Sequence, residues 1–284
     1  MNNNVSNAIA GLKKRQQALT ITIGNQKGGV GKTTNTTLIG YTLANMGLKV
    51  LVADLDPQSN ATKSLMLTKS TNNPDEVATI NKTIMRGVQD RDLTDLPIKI
   101  ISNLYLLPSF IDFEDFAKHL YKNTNSEREE DFFLDPLFKP LKNNFDLILI
   151  DVPPLTPEVT KNAVTMSDYV LISLQTQERS LTGAENYIKT LSKLKAKYNL
   201  PIDIIGILQV LHQNRGTVDQ FIMNNAKDEF GKDSIFKTVV PQMERIKRFD
   251  INGIRNKDQF DKKVLSLYRT VTEELLTRID YFGY

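Results

Sequence analysis

Gly24-Asn25-Gln26-Lys27-Gly28-Gly29-Val30-Gly31-Lys32-Thr33-Thr34 follows the apolar run Leu19 to Ile23 and leads into a helical pattern from Thr34 to Met46. A glycine-rich turn between a strand and a helix exposes backbone N–H groups. The helix N-terminus adds partial positive charge, so the turn suits the β- and γ-phosphates of a nucleotide. In such a loop Lys32 reaches the outer phosphates and the Thr33 hydroxyl sits on Mg²⁺. The strict phosphate-loop pattern asks for glycine at position 26, where this chain has Gln26. Context outweighs that mismatch: a strand precedes, a helix follows, and glycines stand at 28, 29 and 31 where the backbone must approach phosphate.

Outward from the loop, apolar strand patterns fall at 19–24, 49–54, 103–108, 145–151, 168–174, 202–210 and 235–240. They are continuous rather than alternating, as in a parallel sheet covered on both faces. Helical periods lie at 33–46, 76–87, 110–121, 180–198, 217–230 and 258–279. This alternation predicts an α/β fold, a single-domain doubly wound and mostly parallel sheet of the P-loop NTPase type. Ligand then binds at the carboxyl ends of the strands, where the loop, Asp54, Asp56 and Asp151 all fall. Thr68 to Asp75 reads as a turn or exposed loop. Lys122 to Asp131 reads as a loop or the solvated start of a helix. Residues 1–18 form an N-terminal extension, a tail or short helix ahead of an ATPase domain at 19–284. Lys13, Lys14 and Arg15 also leave a DNA or partner contact open for it.

Asp54 and Asp56 end one strand two residues apart, so both carboxylates share a face if the strand runs that far; otherwise Asp56-Pro57 opens a turn. Lys27 at the loop tip has no evident partner within its own chain, and a solvent-exposed lysine is the plain alternative.

The doubled lysine of Lys27-Gly28-Gly29-Val30-Gly31-Lys32-Thr33-Thr34 resembles the deviant Walker A loop of the ParA/MinD superfamily. Three further stretches agree. Val50 to Thr62, with Asp54-Leu55-Asp56-Pro57-Gln58-Ser59-Asn60-Ala61-Thr62, resembles the second motif of ParA-type partition ATPases. Phe145 to Pro154 resembles the Walker B strand, and Thr238-Val239-Val240-Pro241 with Arg245 resembles the late strand and loop of the ParA branch. The resemblance runs from residue 20 to about 250. It implies that Lys27, Gly28, Gly29, Val30, Gly31, Lys32, Thr33 and Thr34 bind ATP, with Pro241 near the adenine. It further implies that Thr33, Asp54 and Asp151 serve Mg²⁺ and that Asp56 orients the attacking water. Lys27 then crosses the interface of an ATP-dependent homodimer to the other subunit's nucleotide. Switch and dimer-contact roles fall to Pro153-Pro154 and Gln175 to Glu178.

Composition narrows the class. Lys plus Arg exceed Asp plus Glu by 36 − 33 = 3, and cysteine is absent, which excludes disulfides and the cluster-bearing iron-protein branch. His119 and His212 sit in no ligand-like cluster. No apolar run approaches the roughly 20 residues of a spanning helix, and no signal core precedes residue 20. The expected location is therefore cytoplasmic and nucleoid-associated, without a membrane partner.

Between Arg245 and Lys263 stand seven basic residues (Arg245, Lys247, Arg248, Arg255, Lys257, Lys262, Lys263) against three acidic ones. That local excess suits successive phosphates of DNA, although a solvated basic face is the bland alternative. By resemblance Arg215 and Arg245 match two DNA-contacting arginines of short ParA proteins, which lack the helix-turn-helix domain of the larger ones. The expected activity is plasmid or chromosome segregation. Mg-ATP drives a sandwich dimer onto non-specific double-stranded DNA, and a ParB-like centromere-binding protein stimulates hydrolysis and release. A MinD-like or cargo-positioning ATPase is the alternative, and an ATP-dependent ligase a more distant one. The acidic residues of the closing segment, Glu273 to Tyr284, disfavour a membrane-inserting terminal helix.

Overall fold

The structure is a computed structural model, and it describes residues 3–75, 77, 79–211 and 216–283. The first half contains α1 (Asn3–Lys14), β1 (Leu19–Gly24), α2 (Lys32–Asn45), β2 (Val50–Asp54), α3 (Asn60–Asn72), α4 (Ile84–Asp90), β3 (Ile98–Ile101) and β4 (Leu104–Leu107). Next come α5 (Phe116–Lys122), α6 (Glu127–Asp131), α7 (Asp135–Lys142), β5 (Leu147–Asp151), α8 (Pro157–Thr165) and β6 (Tyr169–Gln175). The chain closes through α9 (Glu178–Tyr198), β7 (Asp203–Val210), α10 (Thr217–Phe230), α11 (Glu244–Asn252) and α12 (Gln259–Phe282).

The seven strands stand in the order β3-β4-β2-β5-β1-β6-β7, parallel except for β3 against β4. Alternate side chains feed two layers, which is why the strands read as continuous apolar runs. In β2, Val50 and Val52 join the layer of α1, α2 and α12, while Leu51 and Ala53 join that of α5, α7 and α8. Leu147 and Leu149 of β5 likewise face the first layer, Ile148 and Ile150 the second. Each such fully buried Val, Leu or Ile side chain contributes about 1.5–3 kcal/mol. β1 lies between β5 and β6, and the chain leaves it through α2 to β2, beyond β5. That reversal of strand order opens a crevice at the carboxyl edge.

Several elements differ from the sequence expectation. The stretch 235–240 makes isolated bridges, Ile207 to Ile235 and Val210 to Val240, rather than a strand. The Glu274 carboxylate of α12 accepts from Lys237 N (2.7 Å) and Thr238 N (2.9 Å), so those N–H groups never join the ladder. Most of Thr68 to Asp75 is the last turn of α3 rather than a loop. Thr68 has low helix propensity, but its buried hydroxyl accepts from Ile254 N at 2.8 Å and so belongs to a tertiary contact with the chain after α11. α4 begins at Ile84 where the pattern predicted 76, and α3, α7, α8, α11 and the short edge strand β3 were not expected. In α1, Val5, Ala8 and Leu12 are buried, and the helix packs on α12.

Candidate functional site

The loop after β1 holds Gly29 at φ 74° and Gly31 at φ 85°, a left-handed backbone that non-glycine residues seldom adopt. It is tied to the body from below. Asn25 Nδ2 donates to Ser173 O (2.9 Å), Asn25 Oδ1 accepts from Lys27 N (2.9 Å), and Ser173 Oγ donates to Val30 O (2.6 Å). α9 approaches so closely that a Cβ on Gly183 would lie 2.6 Å from Asn25 Oδ1. Above the loop lies a cleft of about 500 Å³ bordered by Gly28, Gly31, Lys32, Thr33, Asp56 and Pro154. The Lys32 ammonium folds back to donate to Lys27 O at 3.0 Å. Burial lowers its pKa from the ordinary value, and the charges of Asp151 and Asp56 oppose that fall.

Asp54 and Asp151 are register partners at the ends of β2 and β5, and neither is exposed. Burial, then the Asp54 charge, pushes the Asp151 carboxyl up to about 8. Asp54 is raised chiefly by burial, against the hydrogen bonds it accepts. Asp151 Oδ2 accepts from Thr33 Oγ1 at 2.7 Å. Of the two readings of Asp54 and Asp56 the turn holds, because β2 stops at Asp54 and the chain turns through Ser59 at φ 53°. Asp54 faces α3, accepting from Thr62 N (2.8 Å) and Thr62 Oγ1 (2.7 Å), while Asp56 borders the cleft.

This donor set fits a nucleotide triphosphate with Mg²⁺. Two carboxyls, both raised first by burial, lie side by side next to a helix N-terminus and a hydroxyl, and a divalent cation there favours their ionised forms. Among the described residues no group of three or more His, Cys, Asp or Glu forms a metal cage. Mg²⁺ commonly takes one or two carboxylates and completes its shell with phosphate and water. Beside the loop, a cavity of about 140 Å³ is bordered by Gln175, Val210, Pro241, Met243, Ile246 and Tyr268. Pro241 thus stands in an apolar slot next to Gly31 and Thr34, of a character suited to a flat base.

Lys27 does have partners in its own chain. Its Nζ donates to Gln177 Oε1 (2.5 Å) and to Ser180 Oγ (3.3 Å) at the start of α9. No local pattern signals this pairing, because those residues lie 150 and 153 positions away.

In the basic stretch the structure separates residues that look alike in sequence. Arg245 turns inward, its side chain only 12% exposed, with Nη2 2.6 Å from Asp258 Oδ2 and Nε 3.4 Å from buried Asp261. Arg255 also faces Asp261, at 3.6 Å. As an outward DNA contact Arg245 is therefore corrected: it closes an ion-pair network that joins α11 to α12. Lys247, Arg248, Lys257, Lys262 and Lys263 are exposed. Arg215 and His212 lie outside the described residues. Sequence reasoning placed Thr62 in a motif without giving it a role, and it missed Ser173, Asn35 and Tyr268, which carry no motif and are recognised only by their buried hydrogen bonds.

An AAA domain family matches residues 18–204. The sporulation initiation inhibitor protein Soj of Bacillus subtilis is 32% identical over 82% of this chain and 88% of its own length. The chromosome-partitioning ATPase Soj of Treponema pallidum is 29% identical over 83% and 87%. Among solved structures, the ATP complex of McdA from Cyanothece superposes with a TM-score of 0.76 at 21% identity, covering 92% of this chain and 97% of that one. At that identity the likeness concerns the fold.

Proposed function

The chain belongs to the AAA-domain family of ParA-type partition ATPases, and from that premise we propose that it is a DNA-segregation ATPase switched by an ATP-dependent homodimer. Partition ATPase activity is the family's; the dimer, the DNA and the partner are our reading. The observation that supports it most is Lys27, a second cation on a loop where Lys32 already lies within reach of the phosphates.

In this reading the loop amides and Lys32 hold the phosphates, Thr33 and Asp151 hold Mg²⁺, and Pro241 flanks the base. Mg²⁺, when bound, neutralises phosphate charge during transfer to water. Asp56, at the cleft edge, accepts a hydrogen bond from the attacking water and orients it. Asp54 acts on the metal site through its charge on Asp151, since its oxygens already serve Thr62 and the Asp56 N–H. Lys27 leaves Gln177 and Ser180 and reaches the partner subunit's nucleotide, as an arginine finger does in trans.

Exposed Lys247, Arg248, Lys257, Lys262 and Lys263, with Arg215 expected to assist, meet duplex phosphates without base readout. A monomer then binds in the weak range of about 10⁻⁴–10⁻⁶ M, and dimerisation strengthens it by avidity. A ParB-like protein is the expected trigger of hydrolysis. No described helix is long and apolar enough to cross a membrane. A cytoplasmic, nucleoid-associated location belongs to this proposal. Residues 19–284 constitute its ATPase unit, with 1–18 as the appended segment that carries α1.

Lys27→Ala is the test. It is expected to bind Mg-ATP within about threefold of wild type, yet to lose ATP-dependent dimerisation by light scattering and at least ~10-fold in turnover. Unchanged turnover removes the claim.

A further inference from the structure

A line of buried polar groups connects the C-terminal helix to the phosphate loop. Tyr268 OH donates to Asn35 Oδ1 (2.8 Å), Asn35 Nδ2 to Ser173 Oγ (2.9 Å), and Ser173 Oγ to Val30 O (2.6 Å). All three side chains are buried: Tyr268 and Asn35 are 1% exposed and Ser173 not at all. Packing alone does not call for polar groups there, since burying them costs free energy unless every one is paired. Here each donor is used and the donation runs one way, from α12 through α2 and β6 to the loop. Burial raises the Tyr268 phenol's pKa, which keeps it a donor.

The last link acts on the loop's shape. In a trans peptide the C=O and the following N–H point to opposite sides, and among the described residues no peptide is cis. Drawing Val30 O down into the body therefore turns the Gly31 N–H up toward the cleft that Gly31 borders. A Cβ on Gly31 would lie 3.7 Å from Asn35 Nδ2 and 3.8 Å from Ser173 Oγ, so the relay touches the loop at that peptide.

We infer that Tyr268 is a positioning residue for nucleotide phosphate: through Asn35 and Ser173 it fixes the Val30–Gly31 peptide so that its N–H faces the bound phosphates. The inference rests on the ATPase reading. It also makes α12, whose first turns carry Lys262 and Lys263, a mechanical neighbour of the loop.

A double-mutant cycle tests it, with calorimetric Kd for Mg-ATP and steady-state turnover on the full chain. Tyr268→Phe keeps the ring and removes only the hydroxyl; Ser173→Ala breaks the final link. Each is expected to weaken Mg-ATP about 3- to 10-fold, with kcat at saturating ATP within about twofold. The double variant is expected to be no weaker than Ser173→Ala alone, because both cut one chain. Tyr268 also borders the slot beside Pro241. Additive losses would mean that Tyr268 acts there directly, and would overturn the relay, as would an unaltered Kd in Tyr268→Phe. Thermal melts of all three variants check that the fold persists. Wild-type protein that bound no Mg-ATP would remove the ATPase reading along with the relay, an outcome distinct from either.

Discussion

The carboxyl edge of the sheet and the stretch from Arg245 to Lys263 treat charge in opposite ways. At the edge, Asp54 and Asp151 are buried as neighbours of the same sign, with Lys32 folded onto a loop carbonyl instead of onto them. In the basic stretch, Arg245 and Arg255 converge on Asp258 and Asp261, and buried charge is paired. Like charges held together cost stability and persist where a ligand will relieve them. Opposite charges 2.6 to 3.6 Å apart secure the joint between two helices, although buried Asp261 Oδ1 and Arg255 Nε each take part only in an ion pair, without a hydrogen bond. Buried acids without an ion pair among the described residues thus mark the working site, and ion pairing marks the scaffold.

The largest expected effect lies at the edge. Lys32→Ala should lower ATP turnover by about 100-fold or more, since a lost electrostatic donor at a transferring phosphoryl group typically costs that much. Its melting temperature should stay near wild type; a collapse of the fold instead would make Lys32 part of the scaffold and blur the contrast.

Next is Arg245→Ala, which leaves buried Asp261 with Arg255 as its remaining cation. Urea titration should show a loss of about 2–4 kcal/mol. If Arg245 acts on DNA instead, stability will hold and DNA affinity will fall.

Asp151→Asn should move stability the other way. The Asp151 carboxyl is raised to about 8 in the fold, so the native state resists ionising a group that the unfolded chain ionises near its ordinary pKa. The contribution of this group to the stability of the nucleotide-free wild type is thus fullest below about pH 4 and declines as pH rises toward about 8. The variant lacks that decline, so its advantage should be small at about pH 4.5 and grow to several kcal/mol by about pH 8, while turnover is lost. An advantage that did not grow with pH would mean that the carboxyls are not in conflict.

The smallest change in stability should come from Lys247→Ala with Arg248→Ala, within about 0.5 kcal/mol, as for exposed side chains generally. Their effect should appear in DNA binding, where the slope of log K against log salt should fall by about 1 for each phosphate left without its cation. Identical slopes would make this face merely solvated.

The loop was legible because backbone geometry imposes its residue types. Only glycine tolerates φ near 80° at 29 and 31, and Lys32-Thr33 must follow at the helix start. The strands of a covered parallel sheet were legible from their apolar runs. The 235–240 run misled because its hydrophobicity is that of a strand, while its N–H groups are taken by a carboxylate on α12. α3 was not predicted, and its last turn hid for the converse reason: Thr68 lacks helix propensity and gains its place from a contact 186 residues away.

By itself, then, the sequence determined the layered sheet, the phosphate loop at its carboxyl edge and the acids that arrive there. These follow from rules of local backbone geometry and periodicity, which act within a few residues. Tertiary structure alone decided that Asp54 turns to Thr62 while Asp56 meets the cleft, that Lys27 rests on Gln177, and that Arg245 is scaffold beside exposed Lys247. It alone placed Tyr268 beneath the loop. Charge and hydrogen-bond partners are set by through-space distance and desolvation, and residues far apart in the chain supply both.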